Sequence, residues 1–205
     1  MPTRNLVKVY APDSYYHIYS RGVNKQPIFN DELDYAFFIS LFKRYLARTP
    51  VTRPKHAPYK TFSGSLDLLS FCLMRNHIHL FVYQHDQYAI KSFMAALLTS
   101  YSRYYNQKHD RVGPLFQSRY LARIISNDSY LKHISRYIHL NPTDWQSYPY
   151  SSIKYYQECA HAEWINTTPI FDLFDTAQNY MNFLEEYDGY EISHEVIEPI
   201  LAGYE

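Results

Sequence analysis

LLSFCLMRNHIHLFVYQ, residues 68–84, is an apolar run, a polar break at Arg75-Asn76, and a second run that alternates. Side chains on a strand point to opposite faces with period two, so Ile78, Leu80 and Val82 share one face. His77, His79, Phe81 and Tyr83 share the other. The first set is expected to meet the core and the second to be the more exposed face. Two histidines two apart on one face lie roughly 6.5 Å apart along the strand and can converge on one metal ion. They can equally decorate an ordinary half-exposed strand. The break at Arg75-Asn76 is short enough for a hairpin, although no Asn-Gly signal marks it.

Working outward, Ser14 to Ser20 (SYYHIYS) is aromatic and β-branched, a strand pattern. Asn30 or Asp31 can cap a helix in which Tyr35, Phe38, Leu41, Phe42 and Tyr45 keep three-and-four spacing, ending before Pro50. A second helix starts near Gln87, with Ile90, Phe93, Met94, Leu97, Leu98, Tyr101 and Tyr105 as its stripe. Arg119 to Ile125 can form a strand. A third helix follows the caps Ser126-Asn127-Asp128 and runs to about Leu140, where Pro142 stops it. Asp172 to Glu186 reads as a further helix. The order strand, helix, strand, strand, helix, strand predicts an α+β fold: an antiparallel sheet with helices packed on it, of ferredoxin-like or RRM-like type.

The chain has 205 residues and is 46% hydrophobic and 18% aromatic, which excludes a disordered protein and predicts a substantial core. Cys72 and Cys159 fit neither a disulfide framework nor a metal pattern, no run approaches membrane-spanning length, and the first residues hold no apolar leader. A cytoplasmic protein with no membrane partner is therefore expected. The zero net charge hides a division: all 20 Lys and Arg lie at or before Lys154 with 9 of the 20 acids, and the other 11 acids follow. A positive body followed by an acidic tail suits a polyanion-binding surface shielded by that tail, or a tail that merely solubilises. Between Lys91 and Arg123, Lys and Arg interleave with Tyr and Phe, as phosphate contacts plus base stacking on a single strand would require.

His133, Tyr137 and Asn141 are four apart on one face of the third helix. A tyrosine beside a bound metal can attack phosphorus, although a phenol with a pKa near ~10 needs help to ionise. The amide oxygen of Asn141 could be a third ligand for a hard ion. On spacing alone Tyr137 reads more readily as a packing residue.

Arg75-Asn76-His77-Ile78-His79-Leu80 resembles the His-hydrophobic-His motif of the HUH single-tyrosine transposases. Tyr137-Ile138-His139-Leu140-Asn141-Pro142 resembles their catalytic helix, above all in the REP-associated tyrosine transposase branch. Ser20-Arg21-Gly22-Val23-Asn24, Leu115 to Tyr120 and Tyr150-Ser151-Ser152 are also similar to segments of that family. The resemblance spans roughly residues 14 to 156. It implies the HUH endonuclease fold over residues 1–156 with an acidic extension over 157–205. It also implies a transposase cleaving single-stranded DNA flanked by hairpin or repeat ends, through a 5′-phosphotyrosine and with Mg²⁺ or Mn²⁺. By resemblance Tyr137 is the nucleophile and His77, His79 and Asn141 the metal ligands, Asn141 standing where other members place Gln or an acid. Arg21, Asn24, Tyr104, Arg119 and Tyr120 are candidates for holding DNA. Relatives include monomers acting in cis and dimers acting in trans, so a homodimer is among the states the resemblance allows. A histidine-triad hydrolase would need a third histidine where Phe81 stands. A non-catalytic single-stranded nucleic-acid-binding protein explains the charge division but not the four site residues together.

Overall fold

The two runs around Arg75-Asn76 pair as a hairpin closed by Met74 opposite His77, with Arg75 and Asn76 as the turn. They are β2 (Leu66–Met74) and β3 (His77–Gln84) of a computed structural model that describes residues 10–52, 58–158 and 160–187. Around them lie β1 (Ser14–Arg21), α1 (Glu32–Leu46), α2 (Ala89–Lys108) and β4 (Leu121–Ile125). The four strands form one antiparallel sheet in the order β2-β3-β1-β4. This is the ferredoxin-like arrangement the element order predicts. The strand expected from Arg119 begins at Leu121.

α1 starts where the sequence places a cap, the Asp31 carboxylate accepting the Asp34 N–H at 3.1 Å. Its apolar stripe, with that of α2, covers the sheet face carrying Ile18, Phe71, Leu73, Ile78 and Leu80. Phe42 meets Phe71 at a ring separation of 5.1 Å, and Phe38 meets Tyr101 at 4.8 Å. Each such side chain taken wholly out of water contributes about 1.5–3 kcal/mol, so this layer dominates stability.

α3 (Asp128–His139) covers the opposite face. Asn127 caps it, accepting the Tyr130 N–H at 2.9 Å. Leu131, Ile134 and Ile138 are buried beneath it. The histidine face of β3 is therefore not exposed: His79 and Phe81 are buried and His77 is half-buried. The alternation is a true β pattern, but a helix beginning more than forty residues later supplies the second cover.

Beyond α3 the chain runs along the free edge of β2. Leu73 N–H donates to Tyr150 O, Ser152 N–H to Phe71 O and Asn166 N–H to Leu68 O, which closes an edge otherwise open to pairing. α4 (Ile153–Tyr156) lies between these contacts. Of the helix expected over Asp172 to Glu186, only Ala177–Glu185 is helical, because Asp175 turns into the left-handed region at φ 62°; this is α6, and a short α5 (Thr168–Phe171) precedes the expected span. Trp164, Ile170, Phe174, Tyr180 and Leu184 are buried. So far as the expected 157–205 extension is described, it packs on the body. Cys72 is buried, and Cys159 lies outside the described residues. No helix among the described residues is long and apolar enough to cross a membrane.

Candidate active site

The site begins at the hairpin tip. Gly22, just past β1, donates its N–H to Asn76 O at 2.9 Å. A Cβ there would lie 2.2 Å from Gln26 O, so the turn that follows closes only on glycine. Ile28 and Phe29 both donate backbone N–H groups to Arg75 O. The Asn76 side-chain amide then donates to Lys25 O at 3.2 Å, which leaves its Oδ1 facing His77 Nδ1 at 2.7 Å.

Those contacts fix the proton on His77. Oδ1 of Asn76 only accepts, so Nδ1 of His77 carries the hydrogen and Nε2 is a bare lone pair. Nε2 lies 3.3 Å from Oδ1 of Asn141, another atom that only accepts. Two acceptors face each other with no proton between them. Burial holds the His77 pKa down at about 4, opposed by the Asn141 contact and helped by Arg21, so the ring is neutral across ordinary pH.

His79 is packed under Tyr137, their rings edge to face at 5.2 Å, and lies 5.0 Å from the ring of His77. Its Nδ1 is 2.9 Å from Nε2 of His17 on β1. Its own Nε2 is buried and makes no hydrogen bond. Burial, then the neighbouring His17 and His77, push its pKa well below the usual histidine value. The site thus presents three acceptor atoms, His77 Nε2, His79 Nε2 and Asn141 Oδ1, with no donor among them. A cation suits such a set and a proton does not. Among these residues the donor chemistry fits a divalent ion.

Tyr137 sits half-buried over His79, its ring also 6.0 Å from that of His17. Burial raises the phenol to about 12 and Tyr19 adds to the rise, while a hydrogen bond with Asn141 opposes it. At neutral pH the phenol holds its proton. The helix supporting it is anchored two residues further on by His139, which is fully buried. Its Nδ1 is 2.6 Å from Tyr180 Oη and its Nε2 is 2.6 Å from Ser152 Oγ. Ser152 Oγ in turn accepts the Phe71 N–H. His139 therefore ties α3 to α6 and to the central hairpin.

The other expected residues scatter. Arg21 lies opposite His77 on β1 and interacts with Tyr19 at the rim of the site. Asn24 is exposed in a left-handed turn at φ 52°, and Arg119 is exposed before β4. Tyr104 lies on the α1–α2 side, stacked on Phe37 at 3.8 Å, on the sheet face away from Tyr137. Tyr120 is buried against Tyr10, which leaves no ring face for a base. His17 was not singled out in the sequence; its signal was there, a His-x-Tyr alternation in β1 like the His-x-His of β3. A second cluster, Asp31, Asp34 and His109, brings its ligand atoms within 4.8 Å of one another. Lys108 already occupies it, bonding both carboxylates.

Comparisons to known proteins bear on the fold that carries this site. Residues 60–141 match the family described as "Transposase IS200 like". The matched segment is 82 of the 205 residues. That segment spans β2, β3, α2, β4 and α3, and so contains His77, His79, Tyr137 and Asn141. A solved structure of a REP-associated tyrosine transposase bound to a REP hairpin has a similar fold. Its TM-score is 0.52 at 12% identity, covering 78% of this chain and 90% of that one. The IS200-like segment thus lies within an α+β fold that the two proteins share. No curated protein matches the chain.

Proposed function

We propose that this protein is a metal-dependent tyrosine transposase that cleaves and rejoins single-stranded DNA carrying hairpin or repeat ends. The observation that carries the reading is the facing pair His77 Nε2 and Asn141 Oδ1, with the unpartnered Nε2 of the neighbouring His79 ring, beside a helix-borne tyrosine. His77 Nε2, His79 Nε2 and Asn141 Oδ1 would hold the ion. Bound Mg²⁺ or Mn²⁺ would supply positive charge to the non-bridging oxygens of a phosphate.

Tyr137 is the nucleophile in this reading. Its oxygen forms the new bond to phosphorus, the phenolic proton departs, and the 3′ oxygen leaves and takes up a proton as a free hydroxyl. The product is a 5′-phosphotyrosine on residue 137. Because that link conserves the phosphodiester energy, a 3′-hydroxyl can attack it and release Tyr137, which makes strand transfer possible. The amide of Asn141 touches both centres: its nitrogen can donate to the phenolic oxygen while its oxygen turns to His77, so it aligns nucleophile and ligand set. Arg21 at the rim, with Asn24 three residues on and Arg119 two residues past Gln117, whose N–H donates to Arg21 O, would meet the DNA backbone. Tyr104 and Tyr120 drop out of that list on their placement. A cytoplasmic setting fits a protein whose partner is cellular DNA, and Tyr137 is placed by its own chain, which suits action in cis.

A non-catalytic binding protein would use the same positive body but leaves the unmatched acceptors unexplained. The test is direct. Full-length protein is incubated with single-stranded hairpin DNA and Mn²⁺, and the products are resolved under denaturing conditions. A covalent protein–DNA adduct in wild type that disappears in Tyr137→Phe is the expected result; no adduct on any hairpin substrate with either metal would sink the reading.

A further inference from the structure

We infer that His17 is a positioning residue that accepts the Nδ1 proton of His79 and so keeps His79 Nε2 bare for a metal ion. This rests on the reading of the site as a metal centre. His17 and His79 stand side by side on β1 and β3, their rings nearly parallel at 9° and 5.1 Å apart, both fully enclosed. A single proton occupies the 2.9 Å contact between His17 Nε2 and His79 Nδ1. If His17 supplied it, neutral His79 would carry its own proton on Nε2. That atom is buried with no acceptor, and a buried N–H without a partner gives up its hydration with nothing in return. If His79 supplies it, Nε2 is a lone pair and the buried N–H is satisfied. The same logic fixes His77, whose Nδ1 proton goes to Asn76 Oδ1.

The two histidines of the motif are therefore oriented by different neighbours. One is held by the residue before it in sequence, the other by a residue from a strand that pairs with it across the sheet. Ligating histidines generally donate their second ring nitrogen to such a partner, which fixes the tautomer and ring angle. An imidazole acceptor in place of the commoner carboxylate adds no negative charge, so an ion at this site keeps its full charge for the phosphate.

The experiment begins with metal-free wild-type protein, in which ¹⁵N-resolved imidazole spectra give the tautomer of each histidine and His79→Ala assigns the His79 signals. Protonated Nδ1 and bare Nε2 on His79 are expected; the opposite tautomer overturns the inference. Mn²⁺ affinity is then measured by the loss of the free-ion electron paramagnetic resonance signal. His17→Phe, which keeps a ring and removes the acceptor, should weaken Mn²⁺ binding about 10–100-fold. His17→Gln, whose amide oxygen can take the same N–H, should recover most of it. Wild-type affinity in a folded His17→Phe, or equal loss in both variants, overturns the inference. His79→Ala separates the two levels: if it leaves Mn²⁺ binding intact, the metal centre itself is wrong and not merely the part given to His17.

Discussion

Asp31, Asp34 and His109 on one side of the sheet, and His77, His79 and Asn141 on the other, are both compact groups of ligand-type side chains. The first is internally complete. Lys108 donates to both carboxylates, His109 lies 3.0 Å from Asp34, and the Asn30 N–H donates to Asp34 as well. Each acceptor there has its proton. In the second, Nε2 of His77 meets Oδ1 of Asn141 and Nε2 of His79 meets nothing. Proximity of ligand atoms is thus a poor guide to a metal centre. A deficit of donors among buried acceptors is a better one, because each unmatched lone pair is a cost that only a ligand can offset.

The largest effect expected is on the nucleophile. Tyr137→Phe should lose the covalent adduct altogether while the melting temperature hardly moves, since one oxygen is removed and the ring remains; Tyr130→Phe on the same helix should keep the adduct. An adduct persisting in Tyr137→Phe would remove this side of the comparison. Next in size, His77→Ala or Asn141→Ala should abolish Mn²⁺ binding as read by calorimetry, whereas His109→Ala should leave it unchanged. Mn²⁺ bound through His109 would reverse the two assignments.

Asp34→Ala addresses stability alone. It leaves the Asn30 N–H without its acceptor, at a cost of about 1–3 kcal/mol in chemical denaturation, with adduct formation retained in the folded protein.

The smallest effect is graded by pH. Burial holds His17 and His139 near 3, below their ordinary 6.5, so the unfolded chain binds more protons than the folded one. Stability should therefore fall as pH drops from about 6.5 towards 3, by up to about 1.4 kcal/mol per unit for each such histidine. Asp34 is lowered by its Lys108, Asn30 and His109 bonds against its own desolvation, so its share is present above the carboxylate value of 3.8 and lost only below it. Melting curves of metal-free protein should thus show the histidine loss first; stability flat from pH 6.5 to 4.5 would contradict the buried neutral rings. Burial also holds His77 at about 4 and His79 well below its ordinary value, which moves the acid limit of metal binding well below the ~6.5 that an exposed histidine would give.

Much of this was legible in the chain itself. The alternation of β3, the stripes of α1 and α2 and the caps of α1 and α3 are local patterns, and local patterns survive folding when nothing contradicts them. His77, His79, Tyr137 and Asn141 lie on segments whose geometry such patterns set, and the structure brings them together. What escaped reading is non-local. His17 meets His79 only through strand pairing between residues 62 apart. The burial of His79 depends on α3, and that of Tyr120 on Tyr10 near the start of the described chain. A tyrosine between basic residues looks like a stacking platform in sequence, and nothing local shows that its ring faces inward. The shielding expected of the acidic tail likewise needs a different cut. Removing everything after Tyr156 would strip Trp164, Tyr180 and Leu184 from the core, so a truncation testing it should keep residue 187.

The buried contact of His139 with Tyr180 has a consequence in time as well as in space. A ribosome delivers this chain from residue 1 onward, so every residue from His77 to Asn141 is made before Tyr180 exists. Until then α3 lacks the hydroxyl that meets His139 and the aromatic surface of Phe174 and Phe183 beneath Lys132 and Arg136. A nascent chain, or one cut short by a premature stop codon, would carry the whole IS200-like segment without a settled seat for its tyrosine.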